Sequence, residues 1–230
     1  MFDRNVAEAY DSWFESTLGA FVDQTETRCA FSLLAPVAGE RILDVGCGTG
    51  NFSLKLASQK CLVTGVDRSE DMLTVARRRA DEEGRSIEFL LGDGEALPFD
   101  DGSFDGVITM ATLEFVQAPV RILGEMLRVL VPGGRVLVGA INRDSPWGTL
   151  YQQIGKKGDP VFKDARLLSR QELAGLGTQG PAKNAPETIE GCLFVPPDLP
   201  EEQIGWEAEE AAAAGGKAPG FLCAIWRKPS

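Results

Sequence analysis

Histidine is missing from all 230 residues. Without an imidazole the chain cannot build a Ser-His-Asp or Cys-His hydrolase site, a His-ligated zinc or iron centre, or a histidine general base. Basic residues are scarce too: 23 Lys and Arg stand against 34 Asp and Glu, a formal net charge of −11. Nucleic acids and anionic membranes are held by cations that neutralise phosphate, so this balance argues against both as partners. No apolar run approaches the roughly 20 residues of a membrane span, and the opening residues, with Asp3 and Glu8 among them, do not read as a secretory signal. The five cysteines, at 29, 47, 61, 192 and 223, include no CxxC pair. That scatter gives no metal-ligand set and predicts a reduced, cytoplasmic protein.

What remains is a globular composition, 43% hydrophobic and 25% charged, in a length that suits a single domain spanning 1–230. Its elements alternate. Residues 1–35 carry apolar positions at helical spacing, interrupted at Gly19, and read as an N-terminal helical layer. Strands are expected at Arg41–Val45, Leu62–Asp67, Ile87–Leu91, Phe104–Met110 and Arg135–Ile141, with helices over Thr49–Ser58, Ser69–Glu83 and Pro119–Leu130. Continuous Val/Ile/Leu runs separated by helices indicate a parallel sheet covered on both faces. Beyond 142 the pattern weakens: Ser169-x-x-Glu172 is a capping box for a helix over about 170–176. Thr188–Val195 and Gly220–Arg227 read as a closing antiparallel ribbon, and 198–210, with six acids and no base, as a solvated helical face.

The chemistry concentrates where the first strand ends, in Leu43-Asp44-Val45-Gly46-Cys47-Gly48-Thr49-Gly50. Alternate glycines let the backbone adopt positive φ and approach a ligand with no Cβ between. A dinucleotide fingerprint would need glycine at 51, which is Asn51, and the Lys-Ser/Thr pair of a P-loop is absent. The segment resembles motif I of the class I S-adenosylmethionine-dependent methyltransferases. Three further matches follow in order: Asp67 at the end of the second strand, Gly92-Asp93-Gly94-Glu95-Ala96-Leu97-Pro98-Phe99 after the third, and Arg128-Val129-Leu130-Val131-Pro132-Gly133-Gly134 before the fifth. The likeness spans about 36–142 and is strongest with the small-molecule, ubiquinone/menaquinone-biosynthesis-like branch.

That resemblance implies a Rossmann-like, doubly wound α/β fold. Its sheet would have seven mostly parallel strands, the last antiparallel, with helices on both faces and an N-terminal helical lid. It implies a helical lid over 1–35, a cofactor-binding core over 36–142, and a substrate-side insertion with C-terminal strands over 143–230. S-adenosylmethionine would be the cofactor and S-adenosylhomocysteine the product, with a small-molecule acceptor. Cofactor contacts would come from Asp44, Gly46, Cys47, Gly48 and Gly50 in the loop, and from Asp67, Arg68 and Met72 after the second strand. Asp93, Gly94 and Glu95 would face the adenine, Met110 would close the fourth strand's end, and Tyr10 would approach from the lid. Cys47, lacking a basic neighbour, is not read as a nucleophile.

Methyl transfer from a sulfonium needs chiefly orientation, and a base only if the nucleophile carries a proton. With no histidine, Glu114, in the segment after the fourth strand, is the candidate for base or orienting work. That segment lacks the Asp/Asn-Pro-Pro-Tyr/Phe run of amino methyltransferases acting on DNA or glutamine, and the Pro-Cys of RNA cytosine-C5 enzymes. Trp13, Trp147 and Tyr151 are candidates for the substrate side. Three competing readings are a catalytically silent methyltransferase-like module that binds a ligand or partner, a nicotinamide oxidoreductase, which Asn51 and the Asp93 loop disfavour, and a metalloid methyltransferase using several cysteines, which their scatter disfavours.

Overall fold

A computed structural model describes Trp13, residues 15–179 and residues 184–229. Seven strands form one sheet: β1 (Arg41–Val45), β2 (Leu62–Asp67), β3 (Glu88–Leu91), β4 (Phe104–Met110), β5 (Leu130–Ile141), β6 (Thr188–Cys192) and β7 (Phe221–Arg227). Their order is β3-β2-β1-β4-β5-β7-β6. The pairs from β3 through β5 are parallel, and β7 runs antiparallel to both β5 and β6. The sheet therefore reverses its winding between β1 and β4, whose carboxyl ends diverge there and leave the crevice in which ligands of open α/β sheets bind.

Burial explains the strand sequences. Ile42, Leu43, Val107, Ile108, Val136 and Leu137 have no solvent exposure, because helices cover both faces. One face carries α1 (Thr17–Leu34) and α2 (Asn51–Ser58), which contribute Phe21, Leu34, Phe52 and Leu56 to a core shared with Ile108 and Leu137. Next to α2, α3 (Glu70–Glu82) packs Leu73 and Ala76 against Leu54 and Phe89. The other face carries α4 (Pro119–Val129) and, after α5 (Pro146–Lys156), α6 (Arg170–Gln179), which bury Leu123, Met126, Leu173 and Leu176. A last helix, α7 (Trp206–Ala214), joins β6 to β7. No helix among the described residues is long and apolar enough to cross a membrane.

Several boundaries differ from those read in the sequence. Gly19 does not break a helix; it lies in the first turn of α1, where a Cβ would collide with the Trp13 carbonyl. The expected short helix from 170 runs through Gly175 and Gly177 to Gln179, since Gly177 leaves room for Asn184 and Trp226. The Ser169–Glu172 box is formed, with Glu172 N–H donating to Ser169 Oγ at 3.1 Å and Ser169 N–H to Glu172 Oε2 at 2.7 Å. The strand expected to reach Val195 stops at Cys192, because Leu193 turns to φ +62°. Pro132-Gly133-Gly134 sits inside β5 rather than ahead of it, at an irregular register with β4. Within the acidic stretch, Glu209 is buried and accepts from the N–H groups of Phe194 and Val195, so this acid is structural rather than solvated.

Arg128, the arginine of the Arg-x-Leu-x-Pro-Gly-Gly segment, holds the loop after β3 in place. Its guanidinium donates to the carbonyls of Leu97 (3.0 Å) and Phe99 (2.8 Å) and pairs with Glu125 and Asp101. A lysine offers no planar fork for these partners. Arg128→Lys is expected to lower unfolding free energy by about 1–3 kcal/mol, measured by denaturant titration; an unchanged midpoint would refute this clasp.

Candidate active site

Strand β1 ends at Val45, and the chain then takes three left-handed glycines, Gly46 (φ +71°), Gly48 (+53°) and Gly50 (+80°), before α2 begins. Each has a separate reason. A Cβ on Gly46 would strike the Thr112 side chain, and one on Gly50 would press on Phe89 and Ala76. On Gly48 it would meet nothing within 4 Å. That open space belongs to a cavity of about 650 Å³ at the carboxyl ends of β1, β2 and β4, a size typical of small-molecule sites.

The sequence candidates converge on this cavity. Asp44, Gly46, Cys47 and Gly48 line it from the loop; Asp67, Arg68 and Met72 from the end of β2 and the start of α3; Asp93, Gly94 and Glu95 from the segment after β3; Met110 from the end of β4. Trp13, Trp147 and Tyr151 line it as well. Gly50 is not on the lining; it serves the turn into α2. Tyr10 lies outside the described residues. Glu114 is not on the lining either. It is fully buried, with Oε1 accepting the Ile141 N–H at 2.6 Å and Oε2 without a hydrogen-bond partner.

Residues with no motif complete the walls. Phe162 stacks on Tyr151 (centroids 4.4 Å, planes 23° apart), Phe115 tilts against Phe162 at 5.9 Å, and Trp147 lies 6.0 Å from Tyr151. The Trp147 indole N–H is held by the Val195 carbonyl at 2.7 Å, which fixes the ring. Glu26 reaches the cavity from α1, and Asp164 from the segment after α5. The three-to-four periodicity of α1 marks its core face, but position 26 sits within the polar run from Asp23 to Arg28 and carries no signature of its own.

Burial governs the electrostatics. It pushes the Asp44 carboxyl up to about 7; the Ser53 hydroxyl, donating to Asp44 Oδ2 at 2.6 Å, opposes the shift, and the Asp67 charge adds to it. Asp67 is raised by burial against the pull of backbone donors, chiefly Ser69 N–H on Oδ1 (2.8 Å) and Gly48 N–H on Oδ2 (2.9 Å). Each oxygen retains an accepting lone pair. Burial also raises the Cys47 thiol, which leaves it protonated and unreactive. Cys29, Cys192 and Cys223, distant in sequence, pack into one core cluster as free thiols. Among the described residues no group of three His, Cys, Asp or Glu side chains is placed to hold a metal ion.

Residues 43–138 match a methyltransferase-domain family model. A demethylmenaquinone methyltransferase of Clavibacter sepedonicus is 45% identical over 60% of this chain and 55% of its own length, so the chain spans about half of that relative. One from Renibacterium salmoninarum is 37% identical over 70% of this chain and 67% of its own. A solved structure from Thermotoga maritima, a SAM-dependent methyltransferase described as a possible histamine N-methyltransferase, covers 99% of this chain and 97% of its own, with 26% identity and a TM-score of 0.74. The chain belongs to the class I S-adenosylmethionine-dependent methyltransferases, in their ubiquinone/menaquinone-biosynthesis-like branch.

Glu114 supplies a stability test. Burial lifts its carboxyl from 4.5 to about 7, opposed by the Ile141 N–H. A carboxyl raised in the fold contributes stability that is complete below about pH 4.5 and lost as pH rises through about 7. Glu114→Gln keeps the shape without the charge. Relative to the native chain it is expected to gain up to about 3 kcal/mol between pH 5 and pH 8, read by urea unfolding at both; a pH-independent difference would contradict the assignment.

Proposed function

We propose that this member of the S-adenosylmethionine-dependent methyltransferases transfers a methyl group to a small-molecule acceptor, with the cofactor against the glycine loop and the acceptor between the aromatic walls. The observation that carries this reading is the open space over Gly48, framed by three carboxylates from three successive strand ends, Asp44, Asp67 and Asp93. When bound, S-adenosylmethionine supplies a methyl group already activated by a sulfonium. The protein's tasks are then to bind, to orient and to exclude water.

Asp67 suits a ribose diol, since two backbone N–H groups hold its carboxylate and leave a lone pair on each oxygen for a hydroxyl. Asp93 suits an adenine amino group; its Oδ1 accepts the Glu95 N–H at 2.9 Å, which fixes the side chain at the mouth. Asp44, buried at the base of the loop, suits the cationic methionine end. Trp13 and Val22 cover the cavity from the helical layer that we read as a lid, and Phe52 joins them from α2. Alignment of nucleophile and methyl group in such an enclosure accounts for roughly 7–11 kcal/mol of barrier lowering. The chain as a whole is read as one methyltransferase domain in which 143–168, carrying Trp147, Tyr151 and Phe162, selects the acceptor.

Calorimetry with S-adenosylhomocysteine tests the reading, followed by a screen of metabolite extracts with a labelled methyl donor. Burial holds Asp44 near 7 in the free protein, and a bound cation favours its ionised form, so binding should release a proton. Affinity is expected to rise by up to about tenfold per pH unit below 7 and to level off above it. Asp44→Asn should weaken binding and flatten that slope. Absence of S-adenosylhomocysteine binding would end the proposal.

A further inference from the structure

We propose that Glu26 is the acid–base residue of the acceptor site, and that the acceptor is a ring-bearing amine, cationic in solution, whose proton Glu26 removes. This rests on the methyltransferase reading above. Glu26 lies in the third turn of α1 and faces the cavity without a hydrogen bond or ion pair to any of the described residues. The nearest cation is already committed. Lys55 Nζ pairs with Asp23, one turn back along α1, and Asn51 Nδ2 donates to the same carboxylate oxygen at 2.7 Å.

The other titratable groups around Glu26 supply no positive charge. They are Asp23, Glu114 behind the wall, the Cys29 and Cys223 thiols, and the Tyr151 phenol. Among the described residues the Tyr151 hydroxyl likewise has no hydrogen-bond partner; burial, then the charge of Glu26, disfavours its ionisation. Along the described lining, Glu26 and Asp164 are the charged side chains of the acceptor end, and Arg68 lies beside Asp67 at the other. A carboxylate or phosphate acceptor would be repelled there. An ammonium would meet two acidic side chains and the faces of stacked rings, both of which attract cations.

Burial, then the Asp23 charge, lifts the Glu26 carboxyl to about 8, with Lys55 pulling the other way. In the free protein this carboxyl is largely protonated at neutral pH. An ammonium bound beside it favours the carboxylate, releasing that proton to solvent, and the basicity that burial confers then suits the carboxylate to take the ammonium's proton. The step balances. One N–H bond of the ammonium breaks and its proton passes to a Glu26 oxygen. The freed nitrogen pair forms the N–CH3 bond as the S–CH3 bond breaks, its electrons remaining on sulfur. The product leaves as a methylammonium, and Glu26 returns its proton to solvent.

Three probes that share a ring and differ in head group test the idea: phenethylamine, 2-phenylethanol and phenylacetate. Each is titrated into the full chain saturated with S-adenosylhomocysteine, and transfer to each is followed with a labelled methyl donor. The native protein should bind the amine about tenfold or more tighter than the alcohol and bind the acid weakest. Glu26→Gln should erase that order while keeping S-adenosylhomocysteine affinity and without lowering the melting temperature, and should lower amine turnover by about 10²–10⁴-fold. Glu26→Asp should retain the preference for the amine in part. Equal binding of the three probes, binding of none, transfer to the alcohol alone, or an unchanged order in Glu26→Gln overturns the proposal while the methyltransferase reading stands. Failure of the native chain to bind S-adenosylhomocysteine overturns both.

Discussion

Gly46 has no side chain because Thr112 occupies the space one would fill. The contact ties the loop after β1 to the segment after β4, and Thr112 Oγ1 secures it with bonds to the carbonyls of Gly46 (3.3 Å) and Met110 (3.0 Å). Ala111 accepts a left-handed φ of +46° to present the threonine, a strain that persists only where surroundings enforce it. These two loops carry different halves of the site. On one side stand Asp44 and the glycines; on the other, Phe115 and the aromatic wall. Their close approach at the switch point makes one cavity of what would otherwise be two crevices.

This chain without histidine has carboxyl groups with raised pKa values at and behind its cavity. Asp44 and Glu26 line the cavity and Glu114 stands behind it, all three raised by the same cause, burial with too little compensating charge. Each has a different local answer. A serine hydroxyl partly offsets the cost at Asp44, and a backbone N–H does so at Glu114. Glu26 has no such bond, and an unanswered polar group facing a cavity is a binding opportunity for a ligand that supplies the missing partner.

The motif residues divide by function once packed. Arg128 lies in a segment characteristic of the family and Asp105 near the start of β4, yet both are clasps: Arg128 binds the carbonyls after β3, and Asp105 accepts the Arg41 N–H at 2.8 Å and pairs with its guanidinium, joining the starts of β1 and β4. Asp44, Gly48, Asp67 and Asp93 line the cavity. Position relative to strand ends separates the two groups, since the carboxyl end of a parallel sheet is where loops diverge and ligands fit.

The sequence alone determined the strand-and-helix alternation, the glycine turn and the acids that follow successive strands, because each is a local pattern written within a few residues. It misjudged Gly19, Gly177 and Leu193, where close packing or a forced turn overrode the usual meaning of the residue type. It pointed to Glu114 by loop position, and only the tertiary structure decided that this side chain turns into the core while Glu26, from a helix 88 positions earlier in the numbering, turns into the cavity. Phe115, Phe162 and Asp164 join it from two other segments. The direction of a buried side chain is set by which neighbours leave it room, and those neighbours come from distant parts of the chain.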